Sequence, residues 1–175
     1  MQQKVGVIMD LENVFGGKKN YIRDRKALPN CPYITINYHE LILQLSKLGS
    51  VVIKTAFIPD YHLDKEATQA EMQALNLYGF FCFVAPTSTN KNIKDYQKVD
   101  RHIIEFSEFL IKSSDIDTLV VIADDGDFIP IINKCLDNNK KIIFIETYNI
   151  NTKIRQHHGV RIFQMPFIET YKKIA

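Results

Sequence analysis

No apolar stretch in this chain of 175 residues approaches bilayer length, and the run Val5-Gly6-Val7-Ile8-Met9 is reached with no charged leader and apolar leader core ahead of it. The expectation is a soluble, unexported protein with no membrane partner. Cysteine is scarce as well. Cys31, Cys82 and Cys135 are scattered and odd in number, which signals neither a disulfide framework nor a Cys-x-x-Cys metal knuckle. Reduced thiols in a cytoplasm fit that count. Repeats and low-complexity linkers are missing too, so residues 1–175 are read as one domain, and a hydrophobic content of 46% gives no signature of disorder.

Charge of one sign is not in excess overall: 22 basic against 20 acidic side chains leave +2. Its distribution says more. Six of the 20 acids (Asp10, Glu12, Asp100, Asp124, Asp125 and Asp127) lie in three short motifs, leaving 14 against the 22 basic groups elsewhere. A basic surface around an acidic pocket suits a polyanion that is steered in and met by metal. The same lysines equally serve to solvate surface helices.

Apolar runs alternate with segments of helical period. Lys4–Asp10, Val51–Ile58, Phe80–Ala85, Thr118–Ala123 and Lys141–Glu146 read as buried strands, with Val160–Gln164 as a sixth. Between them, Asn37 with Glu40 resembles a capping box opening a helix that Gly49 closes, and Leu63–Tyr78, Val99–Lys112 and Phe128–Leu136 give three more. Strands separated by helices imply right-handed crossovers and a parallel sheet covered on both faces. Ligands of such sheets bind beyond the carboxyl ends of the strands, near the switch in strand order.

The acids fall at that edge. Asp10 ends the first strand, with Glu12 and Asn13 expected in the following turn. Ala123-Asp124-Asp125-Gly126-Asp127-Phe128 follows the fourth strand, where Gly126 permits a tight backbone and Asp127 serves as a cap for the next helix. Asp100 stands at the start of a long helix, where the helix dipole alone favours an acid. Each has an ordinary structural reading on its own. Together they place like charges at short range, which a cation neutralises, and hard oxygen donors without His or Cys select Mg²⁺ or Mn²⁺ over Zn²⁺.

Strand-Asp10-x-Glu12-Asn13, then Lys98-Val99-Asp100, then strand-Asp125-Gly126-Asp127-Phe128, in that order across nearly the whole chain, resembles the NYN domain, a LabA-like branch of the PIN-like nuclease superfamily. The resemblance implies a three-layer α/β/α, Rossmann-like fold with a central, mainly parallel sheet of five to six strands. It further implies metal-dependent endoribonuclease activity, with Asp10, Asp100, Asp125 and Asp127 at the family's acidic positions and Asn13 as the polar residue beside the first. Glu12 and Asp124 are further carboxylates within reach of an ion. The sequence departs from the family at Ala123-Asp124, where relatives have Ser-Gly, and at Phe106, where relatives carry another Asp. Those departures motivate an alternative, an RNA-binding or regulatory module that keeps the shell without cleaving. A phosphoryl-transfer enzyme of the haloacid-dehalogenase kind would want Asp where Glu12 stands.

Two basic segments are candidates for guiding RNA, single-stranded or structured: Lys18, Lys19, Tyr21, Arg23, Arg25 and Lys26 after the first motif, and Lys91, Lys94, Tyr96 and Lys98 before Asp100. The competing reading is a solvated loop with core-facing tyrosines. Thr152 and Arg155 are candidate phosphate contacts at a helix start. His157-His158 read as surface residues, since adjacent helical residues do not face one metal. Apolar Phe163, Met165 and Phe167 serve either a homodimer or packing on the sheet.

Overall fold

The computed structural model describes residues 2–25, 33–86, 95–113 and 115–170. In chain order the elements are β1 (Lys4–Asp10), α1 (Leu11–Arg25), β2 (Tyr33–Ile36), α2 (Tyr38–Leu48), β3 (Ser50–Pro59), a 3₁₀ turn (Asp60–His62), α3 (Glu66–Leu77), β4 (Phe81–Ala85), α4 (Asp95–Lys112), β5 (Thr118–Ile122), a second 3₁₀ turn (Gly126–Phe128), α5 (Ile129–Asp137), β6 (Lys141–Glu146), α6 (Thr152–Arg155), β7 (Val160–Gln164) and β8 (Phe167–Thr170).

Six strands form one sheet in the order β4-β3-β1-β5-β6-β7, and every pairing in it is parallel. Parallel neighbours need crossovers, and the helices supply them on both faces. Ile8, Phe57, Leu119, Val121 and Phe144 bury one face under Val99 and Ile103 of α4 and Ile131 and Ile132 of α5. Val7, Met9, Val120, Ile122 and Ile145 bury the other under Leu11 and Val14 of α1, Leu41 and Leu45 of α2 and Leu75 of α3. That double coverage is why β1 is buried from Val5 to Asp10 with no polar alternation. The result is the expected three-layer α/β/α architecture. No helix among the described residues is long and apolar enough to cross a membrane.

Successive strands run outward from β1 to β3 and β4 on one side and from β5 to β6 and β7 on the other. The order therefore switches between β1 and β5, which pair directly from Val5↔Thr118 to Met9↔Ile122. Asp10 and Asp124 leave adjacent strands at one edge.

Three elements differ from the sequence reading. The segment after Asp10 is a helix of 15 residues, α1, rather than a turn and loop, and Asp10 itself caps it. α4 begins at Asp95, so Asp100 lies beyond its first turn and the dipole argument for an acid there loses its force. β2 and β8 form a separate antiparallel ladder from Tyr33↔Thr170 to Ile36↔Phe167. Its four-residue strands lie far apart in the chain, and neither carries a turn signal linking it to the other. Met165 is buried and donates its N–H to Glu146 O at 2.8 Å, and the Phe167 ring lies 5.6 Å from that of Tyr21. Phe163 stays exposed. Tyr21 also donates its hydroxyl to Glu169 at 2.7 Å, so it braces this ladder against α1 rather than offering a stacking surface.

At the other end, Asn37 Oδ1 accepts from Glu40 N at 3.1 Å, as the capping box requires, and Gly49 turns α2 into β3 at a φ of +152°. A Cβ at residue 49 would stand 2.1 Å from the carbonyl oxygen of Gln3, which accepts the Ser50 N–H. Gly49→Ala should therefore destabilise the protein by about 2 kcal/mol or more, because both its φ and that carbonyl resist the side chain. Chemical denaturation of the purified variant checks this; an unchanged midpoint would contradict it.

Candidate functional site

Asp10 is 2% exposed at the end of β1. Its Oδ1 accepts from the backbone N–H of Glu12 at 3.0 Å and of Asn13 at 3.2 Å, and its Oδ2 accepts from Asn13 Nδ2 at 2.5 Å. Burial raises its pKa to about 6, reinforced by Glu12 and opposed by the hydrogen bonds from Asn13 and Glu12. Asn13 reaches the next strand as well: its Oδ1 accepts from Asp124 N at 3.0 Å and its carbonyl from Thr147 Oγ1 at 3.3 Å. One residue thus ties together the ends of β1, β5 and β6.

Asp100 projects from α4 into the same place. It is 8% exposed, and among the described residues no donor reaches its carboxylate. Burial comes first in pushing its pKa up to about 7, followed by the charges of Asp10, Asp125, Asp127 and Glu12. One carboxylate oxygen each from Asp100, Asp125 and Asp127 lies within 4.8 Å of the others. Asp10 stands outside that triad but within electrostatic reach of Asp100. A cleft of about 330 Å³ opens on these groups, lined by Asp10, Glu12, Asn13, Asp100, Asp124 and Asp125 with Gly16, Gly17 and Asn20 of α1. Among the described residues this nearly buried carboxylate has carboxylates for close neighbours and no counter-charge, and a divalent cation is the group this donor set fits.

The turn after β5 is built differently from the sequence reading. Asp125, not Asp127, is the cap, its Oδ1 accepting from Asp127 N at 3.1 Å, and this leaves the Asp127 carboxylate free to turn toward Asp100. Gly126 is required by a close approach rather than by tight dihedrals: a Cβ there would meet Asn151 Nδ2 at 2.5 Å. Asp124 borders the cleft, but its carboxylate is engaged by the β6–α6 loop. Its Oδ1 accepts from Thr147 N at 2.7 Å, and its Oδ2 from Thr147 Oγ1 at 2.6 Å, Tyr148 N at 2.9 Å and Asn149 N at 3.2 Å. With both oxygens committed to the protein, it stitches two loops together and is not a member of the triad.

Glu12 borders the cleft half-exposed, and Tyr61 donates its hydroxyl to Glu12 Oε1 and Oε2 at 2.9 and 2.8 Å. His62 Nε2 lies 3.8 Å from the same carboxylate. Sequence reasoning missed Tyr61, His62 and Thr147. The signal was their position, directly beyond the carboxyl ends of β3 and β6, the edge that carries the acids.

The basic candidates separate. Lys19 and Arg23 are exposed on α1, Arg23 beside Asp24 at 3.3 Å, whereas Lys18 pairs with half-buried Glu71 at 3.3 Å. Arg155 Nη2 lies 2.7 Å from the buried Glu146 carboxylate, and α6 is a single turn capped by Asn151, so Thr152 begins no substantial helix. Lys91 and Lys94 lie outside the described residues, as do Lys26 and the side chains of Arg25, Tyr96 and Lys98. His157 contacts Asn133 Oδ1 at 3.2 Å and the carbonyl of His158. Phe106 packs 5.7 Å from Phe57, centroid to centroid, so an apolar contact occupies the position where an additional acid was sought.

The NYN domain family model matches residues 4–159. No curated protein matches the chain. Among solved structures, a protein of unknown function from Vibrio parahaemolyticus RIMD 2210633 is similar with a TM-score of 0.62 at 17% identity, covering 92% of this chain and 93% of that one. At that identity the likeness is one of fold.

The site carries two expectations. Asp100 keeps its proton to about pH 7 when folded against an ordinary value of 3.8, so the folded state binds more protons between those pH values and stability falls as pH rises through them. Asp100→Asn should stabilise the cation-free protein at pH 8 by on the order of 3 kcal/mol and by nearly nothing below pH 4. A divalent cation at pH 8 should stabilise only the parent; parallel pH profiles of the two melting curves would refute this account. Asp124→Ala, by contrast, leaves three N–H groups and a hydroxyl without their acceptor and should cost about 3 kcal/mol at neutral pH while preserving the cation-induced rise in melting temperature. Loss of that rise would place Asp124 among the ligands instead.

Proposed function

The chain belongs to the NYN domain family, and from that premise we propose that it is a metal-dependent endoribonuclease, hydrolysing RNA phosphodiester bonds with Mg²⁺ or Mn²⁺. The observation that carries this reading is Asp100, nearly buried, without a donor among the described residues, and facing Asp125 and Asp127 within 4.8 Å. Asp100, Asp125 and Asp127 would hold the ion, with Asp10 beside them and Glu12 at the rim. When bound, the ion supplies activation of water and neutralisation of the charge that builds on phosphorus.

The protein's own residues then have distinct tasks. Asn13 fixes the orientation of Asp10 through the 2.5 Å hydrogen bond to Oδ2, so it is a positioning residue rather than a contact to phosphate. Tyr61 holds the Glu12 carboxylate through both oxygens and keeps it on the cleft. Asp124 maintains the loop geometry that presents Asp125 and Asp127. Lys19 and Arg23 on α1 lie on the element that lines the cleft and would meet backbone phosphates, with Lys91, Lys94 and Lys98 as further basic groups preceding Asp100 in the chain. A cytoplasmic setting is in keeping with Cys82 and Cys135 as free thiols.

The Phe106 contact favours a second reading, an RNA-binding module that has lost turnover, because α4 offers the cleft one carboxylate where relatives offer two. A single assay separates them. Incubated with Mn²⁺ or Mg²⁺, the protein should cut single-stranded RNA internally, and Asp125→Asn should slow cutting by roughly a hundredfold or more. Salt-dependent RNA binding without cleavage under either ion would establish the second reading. Cleavage surviving Asp10→Asn and Asp125→Asn together would remove the assignment of chemistry to this cleft.

A further inference from the structure

A second pocket, of about 460 Å³, lies at the opposite end of the sheet, where β5, β6 and β7 begin. Lys47 from α2, Lys141 from β6 and Arg161 from β7 line it, and no acid does. The pairings of the sheet explain how they meet. Thr118 of β5 is aligned with Lys141, and Arg161 is aligned with Ile143 two residues further along the same strand, so all three point to the face that α2 covers. α2 ends at Leu48, short of the β7 edge, and leaves this corner of the face open.

Two features set the pocket apart from an ordinary basic surface. First, Lys47, Lys141 and Arg161 come from three different elements to one pocket, and none of them makes an ion pair or side-chain hydrogen bond among the described residues. Second, Thr118, which is 1% exposed, lines the pocket with an Oγ1 that finds no hydrogen-bond partner. A buried hydroxyl without a partner carries a desolvation cost, and retaining it beside three unneutralised cations suits a ligand oxygen that accepts its proton. Leu48 and Ile143 form an apolar wall in the same pocket.

We propose that this pocket binds a phosphate group attached to a flat, partly apolar body, that is, a nucleotide, either free or as a unit of an RNA strand. Lys47, Lys141 and Arg161 neutralise the phosphate, Thr118 Oγ1 donates to one of its oxygens, and the base lies against the apolar wall. The site is separate from the acidic cleft: Lys141 and Glu146 are the two ends of β6, so the two openings lie about 17 Å apart at ~3.3 Å per residue. Binding here needs no divalent ion and does not depend on the nuclease reading.

The test is titration of the full chain at low salt with EDTA, using inorganic phosphate, adenosine monophosphate and an oligoribonucleotide of about 12 nucleotides. The parent should bind, and a variant carrying Lys47→Gln, Lys141→Gln and Arg161→Gln should lose about tenfold or more in affinity with a shallower salt dependence. Thr118→Val should weaken binding several-fold while its melting temperature stays level or rises, a combination that a purely structural hydroxyl does not give. Binding of phosphate or the mononucleotide identifies a free ligand as the source. Binding of the oligoribonucleotide alone, lost in the triple variant, identifies an RNA strand. Failure of all three to bind at millimolar concentration, or equal affinities in parent and triple variant, overturns the proposal, and neither result bears on cleavage at Asp125.

Discussion

Mutual repulsion among buried carboxylates is the constraint around which this molecule is arranged. Asp10 and Asp100 are almost out of water, the charge of Asp10 raises the cost of ionising Asp100, and Asp125 and Asp127 add two more charges at the mouth. Such a cluster does not assemble by attraction. It is held by the backbone geometry of a parallel sheet, in which β1 and β5 run side by side and deliver their last residues to one point. Asn13 makes the junction rigid by bonding Asp10 through its amide hydrogen and the turn after β5 through its oxygen. Asp124, which adds yet another acid to the motif, is tolerable because four donors from the Thr147–Asn149 loop absorb its charge.

A parallel sheet has two chemically different ends, and this protein uses them with opposite signs. The carboxyl ends carry the acidic cleft, with the loop after β3 contributing Tyr61 and His62 to its rim. At the amino ends of β5 to β7, Lys141 and Arg161 share a pocket with Lys47 of α2, without acidic partners among the described residues. A polyanion approaching such a molecule is drawn by a basic surface and tolerated at the acidic end only where a cation is bound. The near-balanced net charge of +2 conceals this separation, because the two populations cancel in the total.

Much of the architecture was legible because its strands are buried on both faces and therefore read as continuous apolar runs. Lys4–Asp10, Thr118–Ile122, Lys141–Glu146 and Val160–Gln164 fall where those runs are. What escaped were elements stabilised by distant partners. α1 carries Gly16, Gly17 and six charged residues in a stretch of low mean hydrophobic content, and its helical state rests on the cap from Asp10 and the burial of Leu11 and Val14. β2 and β8 are too short to announce themselves and exist through each other. In the site, the acidic motifs stood out as charge, but nothing local distinguished Asp124, which is spent on a loop more than twenty residues away, from Asp125 and Asp127, which face Asp100.

The sequence by itself determined the alternation of strands and helices, the three acidic motifs, the family resemblance that the NYN domain match over residues 4–159 bears out, and the hard-oxygen chemistry that such donors imply. These are properties of periodicity and residue type, which are written locally along the chain. Only the tertiary structure decided which carboxylates face one another, which are neutralised by backbone N–H groups, that Asn13 bridges two strands, and that three scattered cations share a pocket with an unpartnered hydroxyl. Those outcomes depend on distances between residues up to 134 apart in the chain, as in the contact of Thr147 with Asn13, and on which groups lose their water. Neither quantity exists until the strands are placed side by side.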